Sequence, residues 1–233
     1  MPSSKQDKNS TPYDPQEYEN NIVNTIPYYS SIHQEIINLV KAFPIEAKVW
    51  MDTGCGTGSL VNSAMQEFPN TKFLLLDPSE NMLEIAKEKM LSQPKGRIEF
   101  LEPSPTQEFS KKLEERPDII TAIQCHHYLS PEYRAEATKV CFELLKSGGA
   151  FITFENIRPL TEEGVDIGKE YLGNFQLSRG KDKENVSKYL ARFDVEYFPL
   201  TIEQHLQLLR NTGFKVVEMF WYSYMQAGFY CIK

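Results

Sequence analysis

The chain has 233 residues, of which 41% are apolar and 24% are charged, a composition typical of one globular α/β domain with a sizeable core. Its net charge of −7 argues against a broad nucleic-acid-binding surface, which needs clustered lysine and arginine. No run approaches the roughly 18 apolar residues of a membrane span, so we expect neither nucleic acid nor membrane as a partner.

The first twenty residues are polar and lack the apolar segment of a secretory signal, so we expect a mobile tail there. The four cysteines are far apart, which favours reduced thiols in a cytoplasmic protein. The next segment, YYSSIHQEIINLVKAF, predicts a helix that ends before Pro44. Its apolar face consists of Ile32, Ile36, Ile37 and Val40.

Strand and helix patterns then alternate as far as residue 156. The predicted strands are AKVWMDT, TKFLLLD, RIEFL, residues 118–124 and AFITFEN. Helices separate most of them, and one begins at Ser130-Pro131, an N-cap followed by a first-turn proline. This order predicts a parallel sheet with helices on both faces.

Residues 157–200 interrupt the alternation, because they are charged and aromatic and have no strong period. We interpret them as an insertion that forms a cap or lid together with residues 21–44. Thr201 and Gln204 make a capping box for the next helix, and FKVVEMFWY and AGFYCIK predict a closing strand pair. Residues 21–233 are therefore expected to form a single domain.

A glycine-rich turn follows the first predicted strand in MDTGCGTGS. A dinucleotide fingerprint has glycine at its first, third and sixth places, but here the sixth place is Ser59 and the third glycine is Gly58. Asp52 precedes the turn, and a carboxylate there suits a cationic amino-acid ligand better than a pyrophosphate. Asp77 ends the second strand, where a carboxylate suits ribose hydroxyls.

The motifs DTGCGTG, LLLDPSENML, DIITAIQCHHYL and LKSGGAFITFENI, in this order, resemble those of class I S-adenosylmethionine-dependent methyltransferases. The resemblance covers about residues 45–233. It implies a Rossmann-like, doubly wound sheet of seven strands in the order 3-2-1-4-5-7-6, with strand 7 antiparallel.

The resemblance also implies a cofactor, S-adenosyl-L-methionine, with S-adenosyl-L-homocysteine as the product. Carried over residue by residue, the implied cofactor contacts are Asp52, Gly54, Cys55, Gly56, Gly58, Asp77, Pro78, Met82, Ser104, Thr106, Gln107 and Gln124. Among these, Ser104, Thr106 or Gln107 is expected to receive the adenine amino group, because this chain lacks the family's usual aspartate after strand 3.

The chain is also similar to the carboxy-S-adenosylmethionine synthase branch in its length, N-terminal helix and last third. That branch grips the extra carboxylate of its cofactor with an arginine, which corresponds by spacing to Arg192 here. The glycine-rich turn and the end of strand 4 differ from that branch, so we interpret the chain as a neighbouring member.

Candidate acceptor-site residues lie at the ends of strands 4 and 5. His126, His127 and Glu155 are the candidate catalytic groups, since histidine is the usual base near neutral pH. Other candidates for the substrate site or lid are Tyr28, its neighbour Tyr29, Tyr128, Asn156 and Arg192. We expect no metal, because two adjacent histidines without a spaced partner make a poor zinc site.

These observations favour a methyltransferase that acts on a small-molecule acceptor. The alternatives are an enzyme like carboxy-S-adenosylmethionine synthase and a cofactor-binding regulator without turnover. A homodimer is compatible with the sequence, and the nucleophilic atom of the acceptor is not specified by it.

Overall fold

The computed structural model describes residues 11–94 and 96–233 as a seven-stranded sheet between helices. Its strand order is β3-β2-β1-β4-β5-β7-β6, with β7 antiparallel to both neighbours, which confirms the predicted topology. The strands are β1 (Val49–Thr53), β2 (Lys72–Leu76), β3 (Ile98–Phe100), β4 (Ile119–Ile123), β5 (Ala150–Asn156), β6 (Val216–Ser223) and β7 (Gln226–Ile232).

Eight α-helices surround the sheet in the described part of the chain. They are α1 (Tyr18–Ile22), α2 (Tyr29–Ala42), α3 (Ser59–Glu67), α4 (Glu80–Lys89), α5 (Pro131–Leu144), α6 (Glu162–Ser178), α7 (Lys183–Leu190) and α8 (Ile202–Thr212). Two short 3₁₀ turns lie at Thr106–Glu108 and His126–Tyr128. No helix of the described residues is long and apolar enough to span a bilayer.

The central strands are buried on both faces and mostly apolar, because helices cover both sides of the sheet. All residues of β1 and β5 are buried. Along β1, Trp50 packs into one core, with α2 and α3, and Met51 packs into the other, with α5 and α8. This alternation follows from the two-residue side-chain period of a strand.

Several predicted helix ends are confirmed by their hydrogen bonds. The Ser130 hydroxyl accepts the Tyr133 N–H at the start of α5. At the start of α8, Thr201 and Gln204 form the reciprocal capping box. The predicted apolar face of α2 is also confirmed, since its buried residues are Ile32, Ile36, Ile37 and Val40.

The N-terminal segment makes contacts with the rest of the domain before residue 20, where the predicted mobile tail ends. Residues 1–10 of the predicted tail lie outside the described residues. From residue 11 onward, the Tyr13 hydroxyl bonds to the Thr25 hydroxyl at 2.6 Å, and Glu19 bonds to the glycine-rich turn. Helix α1 therefore belongs to the packed domain.

The insertion at residues 157–200 forms α6 and α7, two helices that the sequence pattern did not predict. Their N-caps are Thr161 and Asp182, whose side chains accept N–H groups of the first turn. The insertion contacts the N-terminal segment through Gln176, which donates to the Thr25 carbonyl at 3.2 Å. A lid movement of these helices stays a prediction.

Candidate functional site

A cavity of about 990 Å3, its mouth included, opens at the carboxyl ends of β1, β2 and β4. This is the edge at which open parallel sheets bind their ligands. The described residues that line it are Thr11, Tyr18, Tyr29, His33, Asp52, Gly54, Cys55, Gly56, Thr57, Ser59, Leu60, Asp77, Pro78, Met82, Pro105, Thr106, Gln107, Ile123, Gln124, Cys125, His126, Tyr128 and Leu129.

The glycines of the turn after β1 serve two different purposes. Gly54 lies against the turn after β4, and a Cβ added there would meet the Cβ of Cys125 at 2.4 Å. Gly56 has φ +53°, and a Cβ there would meet no described atom within 4 Å. Since Gly56 lines the cavity, its bare backbone leaves room for close approach by a ligand.

Asp77 fixes this turn from the end of β2. Its Oδ2 accepts the Gly56 N–H at 2.8 Å, and its Oδ1 accepts the Ser79 N–H at 2.9 Å. Ser79 in turn caps α4 by accepting the Met82 N–H at 3.1 Å. A carboxylate oxygen has more than one lone pair, so Asp77 retains acceptor capacity toward the cavity that it lines.

Asp52 is buried at the end of β1 and lines the same cavity. Its Oδ1 accepts the Thr121 hydroxyl at 2.5 Å, and that hydroxyl accepts the Trp50 indole N–H at 3.0 Å. Burial raises the pKa of Asp52 to about 7, and the charge of Asp77 also raises it, although the Thr121 bond lowers it. A bound cation would therefore find an acid that ionises readily near neutral pH.

Three buried polar atoms of cavity-lining residues have no hydrogen-bond partner among the described residues: Gln107 Oε1, Gln124 Nε2 and His126 Nε2. Buried polar groups are normally paired, so such atoms indicate a missing ligand or water. Gln124 also has φ +55°, an unusual backbone conformation for a residue other than glycine and one that clusters at ligand sites.

His127 and Glu155 form a closed network below the cavity and do not line it. Glu155 accepts hydrogen bonds from the N–H groups of His126 and His127, from Thr153 Oγ1 and, at 2.6 Å, from His127 Nδ1. The Asn156 amide completes the network at 3.2 Å from His127 Nε2. These partners are those of a carboxylate and a neutral imidazole, and burial lowers the pKa of His127.

His126, by contrast, lines the cavity and is 3% exposed. Its ring lies near Phe151, with centroids 6.3 Å apart. Burial lowers its pKa to about 4, against the influence of Glu155. His126 is therefore a neutral, weakly basic imidazole near pH 7.

Three phenol rings, those of Tyr18, Tyr29 and Tyr128, form what we call the phenol wall of the cavity. Tyr18 and Tyr29 lie close enough for their phenol groups to interact electrostatically. The ring of His33 meets that of Tyr29 edge-on, with centroids 5.0 Å apart. The wall is assembled from α1, the first turns of α2 and the 3₁₀ turn after β4.

Most of the predicted site residues meet at this cavity. Of the implied cofactor contacts, only Gly58 and Ser104 do not line it. Gly58 has φ +73° and packs against α4, where a Cβ would meet Met90 Cε at 2.5 Å. Pro105, beside Ser104, lines the cavity instead.

Only some of the predicted catalytic and lid residues line the cavity. His126 and Tyr128 line the cavity, whereas the residues that do not are His127, Glu155, Asn156, Tyr28 and Arg192. For Glu155 and Asn156 the expectation that both side chains reach the pocket is wrong, because they turn into the network around His127. The catalytic role of Glu155 and the substrate-site role of Asn156 stay predictions that this geometry does not support.

Arg192 and Tyr28 lie in other surroundings. The guanidinium of Arg192 bonds to Glu196 at 2.6 Å and lies 5.8 Å from the ring centroid of Tyr128, behind the phenol wall. Tyr28 is 54% exposed and meets the rings of Trp221 and Tyr224 on the outside of the domain.

Sequence reasoning missed Tyr18, His33 and Leu129 as cavity residues. His33 follows Tyr29 by four residues, which places both on one face of α2, so this pair had a readable signal. Tyr18 had none, since only the packing of α1 brings it to the cavity.

Comparisons with known proteins agree with this geometry. Residues 51–151 match the family model of a methyltransferase domain. Carboxy-S-adenosyl-L-methionine synthase from Campylobacter lari is 27% identical over 205 residues, which cover 86% of this chain and 84% of that protein.

Two solved structures show the same fold. An O-methyltransferase family protein from Burkholderia thailandensis has a TM-score of 0.63 and 14% identity over 94% of this chain, which spans only 59% of that structure. Magnesium protoporphyrin IX methyltransferase from Synechocystis, with bound SAH, has a TM-score of 0.61 and 16% identity, and the match covers 88% of this chain and 83% of that one.

Proposed function

We propose, from the methyltransferase domain that this chain carries, that it is an S-adenosylmethionine-dependent methyltransferase acting on a small-molecule acceptor. One observation carries the proposal: a single cavity is lined by the turn at Gly56 and by the carboxyl groups of Asp52 and Asp77. The same cavity holds amide atoms of Gln107 and Gln124 that have no partner among the described residues.

These residues match the chemistry of the cofactor group by group. Asp77 has acceptor capacity for ribose hydroxyls, and the orphaned Gln107 Oε1 suits the adenine amino group. The orphaned Gln124 Nε2 suits the carboxylate of the methionine half, and Asp52 suits its ammonium. Gly56 leaves the space that the methionine half needs.

When bound, S-adenosylmethionine supplies a methyl group activated by a sulfonium. The protein then has to orient the acceptor in line with that methyl group and exclude water. The phenol wall and Leu129 are the apolar surfaces available for this purpose. Helix α1 carries Tyr18 and bonds to the glycine-rich turn through Glu19, so it closes one side of the cavity.

The first test is calorimetric titration of the protein with S-adenosylhomocysteine, S-adenosylmethionine and NAD. We expect micromolar binding of the first two and none of NAD. Asp77→Ala should weaken binding about tenfold or more, since charge-assisted bonds contribute about 1.5–3 kcal/mol. Asp166→Ala, on the exposed face of α6, is the matched control. Tight NAD binding without S-adenosylhomocysteine binding would refute the proposal.

A second candidate is the activity of carboxy-S-adenosylmethionine synthase, favoured by the similarity over 86% of the chain. It requires a cation for the extra carboxylate, and Arg192 would have to leave Glu196 and pass Tyr128 to provide it. Mass spectrometry of the cofactor that copurifies with the protein separates the two candidates. A carboxylated cofactor that is lost in Arg192→Ala would favour the second.

Turnover separates both enzymes from a cofactor-binding regulator. A methyltransferase releases S-adenosylhomocysteine in proportion to a methylated product when a suitable acceptor is present. Tight cofactor binding with no such release across a broad panel of acceptors would favour the regulator.

A further inference from the structure

We infer that the acceptor is an amine, bound with its nitrogen against the phenol wall, and that acidic acceptors are rejected. This inference rests on the proposed function and adds a substrate class to it. It is drawn from three features of the cavity: its charge, its aromatic faces and its weakly basic imidazoles.

The charge of the cavity disfavours anions. Among the described residues that line it, none is lysine or arginine, whereas Asp52 and Asp77 both carry carboxyl groups. The ammonium of Lys89 is held outside the lining by Glu19, Thr57 and Ser59. An acidic acceptor would therefore be desolvated beside acids with no counter-charge among the described lining residues, which is costly.

The aromatic faces favour a cation or a polarised N–CH group. Tyr18, Tyr29 and Tyr128 come from three separate segments and line the same space. Burial raises the pKa of Tyr29 to about 12 and that of Tyr18 well above its usual range, so both phenols are neutral. Neutral phenol rings attract ammonium groups through the negative face of the ring.

The two imidazoles of the cavity are weak bases, and the proposed binding mode pairs Asp52 with the ammonium of the cofactor, which favours a nucleophile that already has a free lone pair. Burial lowers the pKa values of both His33 and His126 to about 4. Neither imidazole is basic enough to deprotonate an alcohol efficiently near neutral pH. A neutral amine needs no such step.

The transfer balances without a further reactant. An amine that binds as an ammonium first gives a proton to water. The lone pair of its nitrogen then forms the new bond to the methyl carbon, while the bond from that carbon to sulfur breaks and its electron pair stays on sulfur. A primary or secondary amine then loses its surplus proton to water, and a tertiary amine retains its charge as a quaternary ammonium.

A binding experiment tests the inference without knowledge of the natural acceptor. The protein saturated with S-adenosylhomocysteine is titrated with three probes of nearly equal shape: choline, 3,3-dimethylbutan-1-ol and 3,3-dimethylbutanoate. Choline has no lone pair on nitrogen, so it reports binding alone. We expect choline to bind about tenfold more tightly than the neutral alcohol, and the carboxylate to bind more weakly than both.

Variants of the wall identify the cause of the preference. Tyr18→Leu should reduce the advantage of choline to about twofold or less, whereas Tyr18→Phe, which keeps the ring, should retain it. Tyr133→Leu, on the outer face of α5 and 60% exposed, is the control and should change nothing.

Failure of the inference is distinct from failure of the proposed function. If S-adenosylhomocysteine itself does not bind, the proposed function fails. If it binds but choline shows no advantage over the alcohol, or no saturable binding at all, the amine inference fails alone. Equal or tighter binding of the carboxylate would overturn it in the same way.

Discussion

Asp52 shows how burial tunes a single residue for a ligand. A carboxyl group in this position is protonated over a wide acidic range, because no positive neighbour among the described residues offsets its desolvation. Its hydrogen-bond partner is a neutral hydroxyl, that of Thr121. A ligand ammonium supplies the missing charge. Binding of the cofactor should therefore remove a proton from Asp52 whenever the pH is below its pKa.

This coupling predicts a pH dependence of affinity. The pKa of Asp52 in the empty site is about 7, so the affinity for S-adenosylhomocysteine should rise up to about tenfold per pH unit below pH 7 and level off above it. Calorimetry in buffers of different ionisation enthalpy should detect the released proton. Asp52→Asn should abolish the slope, whereas Asp166→Asn should preserve it. A flat profile in the unmodified protein would contradict the assignment.

Glu155 has a structural role, since it holds the turn after β4 in place. It gathers four hydrogen bonds within a fully buried network and so fixes the turn that carries His126 and Tyr128 into the cavity. Arg134 reinforces the same turn by donating to the carbonyl of His126 at 2.9 Å. The orientation of cavity residues thus depends on groups that do not touch the cavity.

Loss of Glu155 should therefore reduce stability. Glu155→Ala leaves buried donors unpaired, each at a cost of about 1–3 kcal/mol, so we expect the free energy of unfolding to fall by at least about 3 kcal/mol in urea denaturation. Glu136→Ala, on the exposed side of α5 with an ion pair to Lys139, should change it by about 0.5 kcal/mol or less. Equal effects of the two changes would argue against the network.

At the scale of elements, α1 is attached to the glycine-rich turn through one side chain. Glu19 Oε1 accepts the hydroxyls of Thr57 at 2.8 Å and Ser59 at 2.6 Å, and it forms an ion pair with Lys89. A helix of five residues has little stability of its own. Its position over the cavity consequently depends on these contacts.

Glu19→Ala should loosen this attachment. We expect faster amide exchange across Tyr18–Ile22 and a several-fold faster dissociation of S-adenosylhomocysteine, because the side of the cavity formed by Tyr18 opens more often. Hydrogen exchange and stopped-flow dissociation measure the two effects. The neighbouring change Glu17→Ala removes a carboxylate without these contacts and serves as the control. Unchanged exchange in Glu19→Ala would show that packing alone holds α1.

At the scale of the whole molecule, ligand binding should stabilise the fold, because the cavity joins segments distant in sequence. S-adenosylhomocysteine at about 100 times its Kd should add roughly 2.7 kcal/mol. For a chain of this size that is an increase of roughly 5–10 °C in Tm. Differential scanning calorimetry measures it, with NAD at the same concentration as the comparison. Stabilisation by NAD alone would contradict the proposed cofactor.

The sequence by itself determined the sheet and its cofactor edge. Strands β1 and β5 begin with apolar runs, and the capping box at Thr201 is local chemistry, so both features were readable without tertiary information. The family resemblance supplied the strand order. The glycine-rich turn and Asp77 were predictable because their geometry is set within a few residues of backbone at the ends of adjacent strands.

The insertion was harder to predict for a physical reason. The buried face of α6 consists of Val165, Leu172, Gly173 and Gln176, and glycine and glutamine give no apolar period. Burial there depends on partners such as Thr25, far away in the sequence. Only the packed structure could show that this face is covered.

Only the tertiary structure decided the acceptor side of the cavity. Tyr18 reaches it because Glu19 holds α1 against the glycine-rich turn, a contact that no local pattern encodes. Glu155 was expected at the cavity, yet its side chain points to the network around His127, because the N–H groups of the turn after β4 and the His127 ring donate to it there. Backbone motifs are local and readable from sequence, whereas a wall built from three segments exists only once those segments pack together.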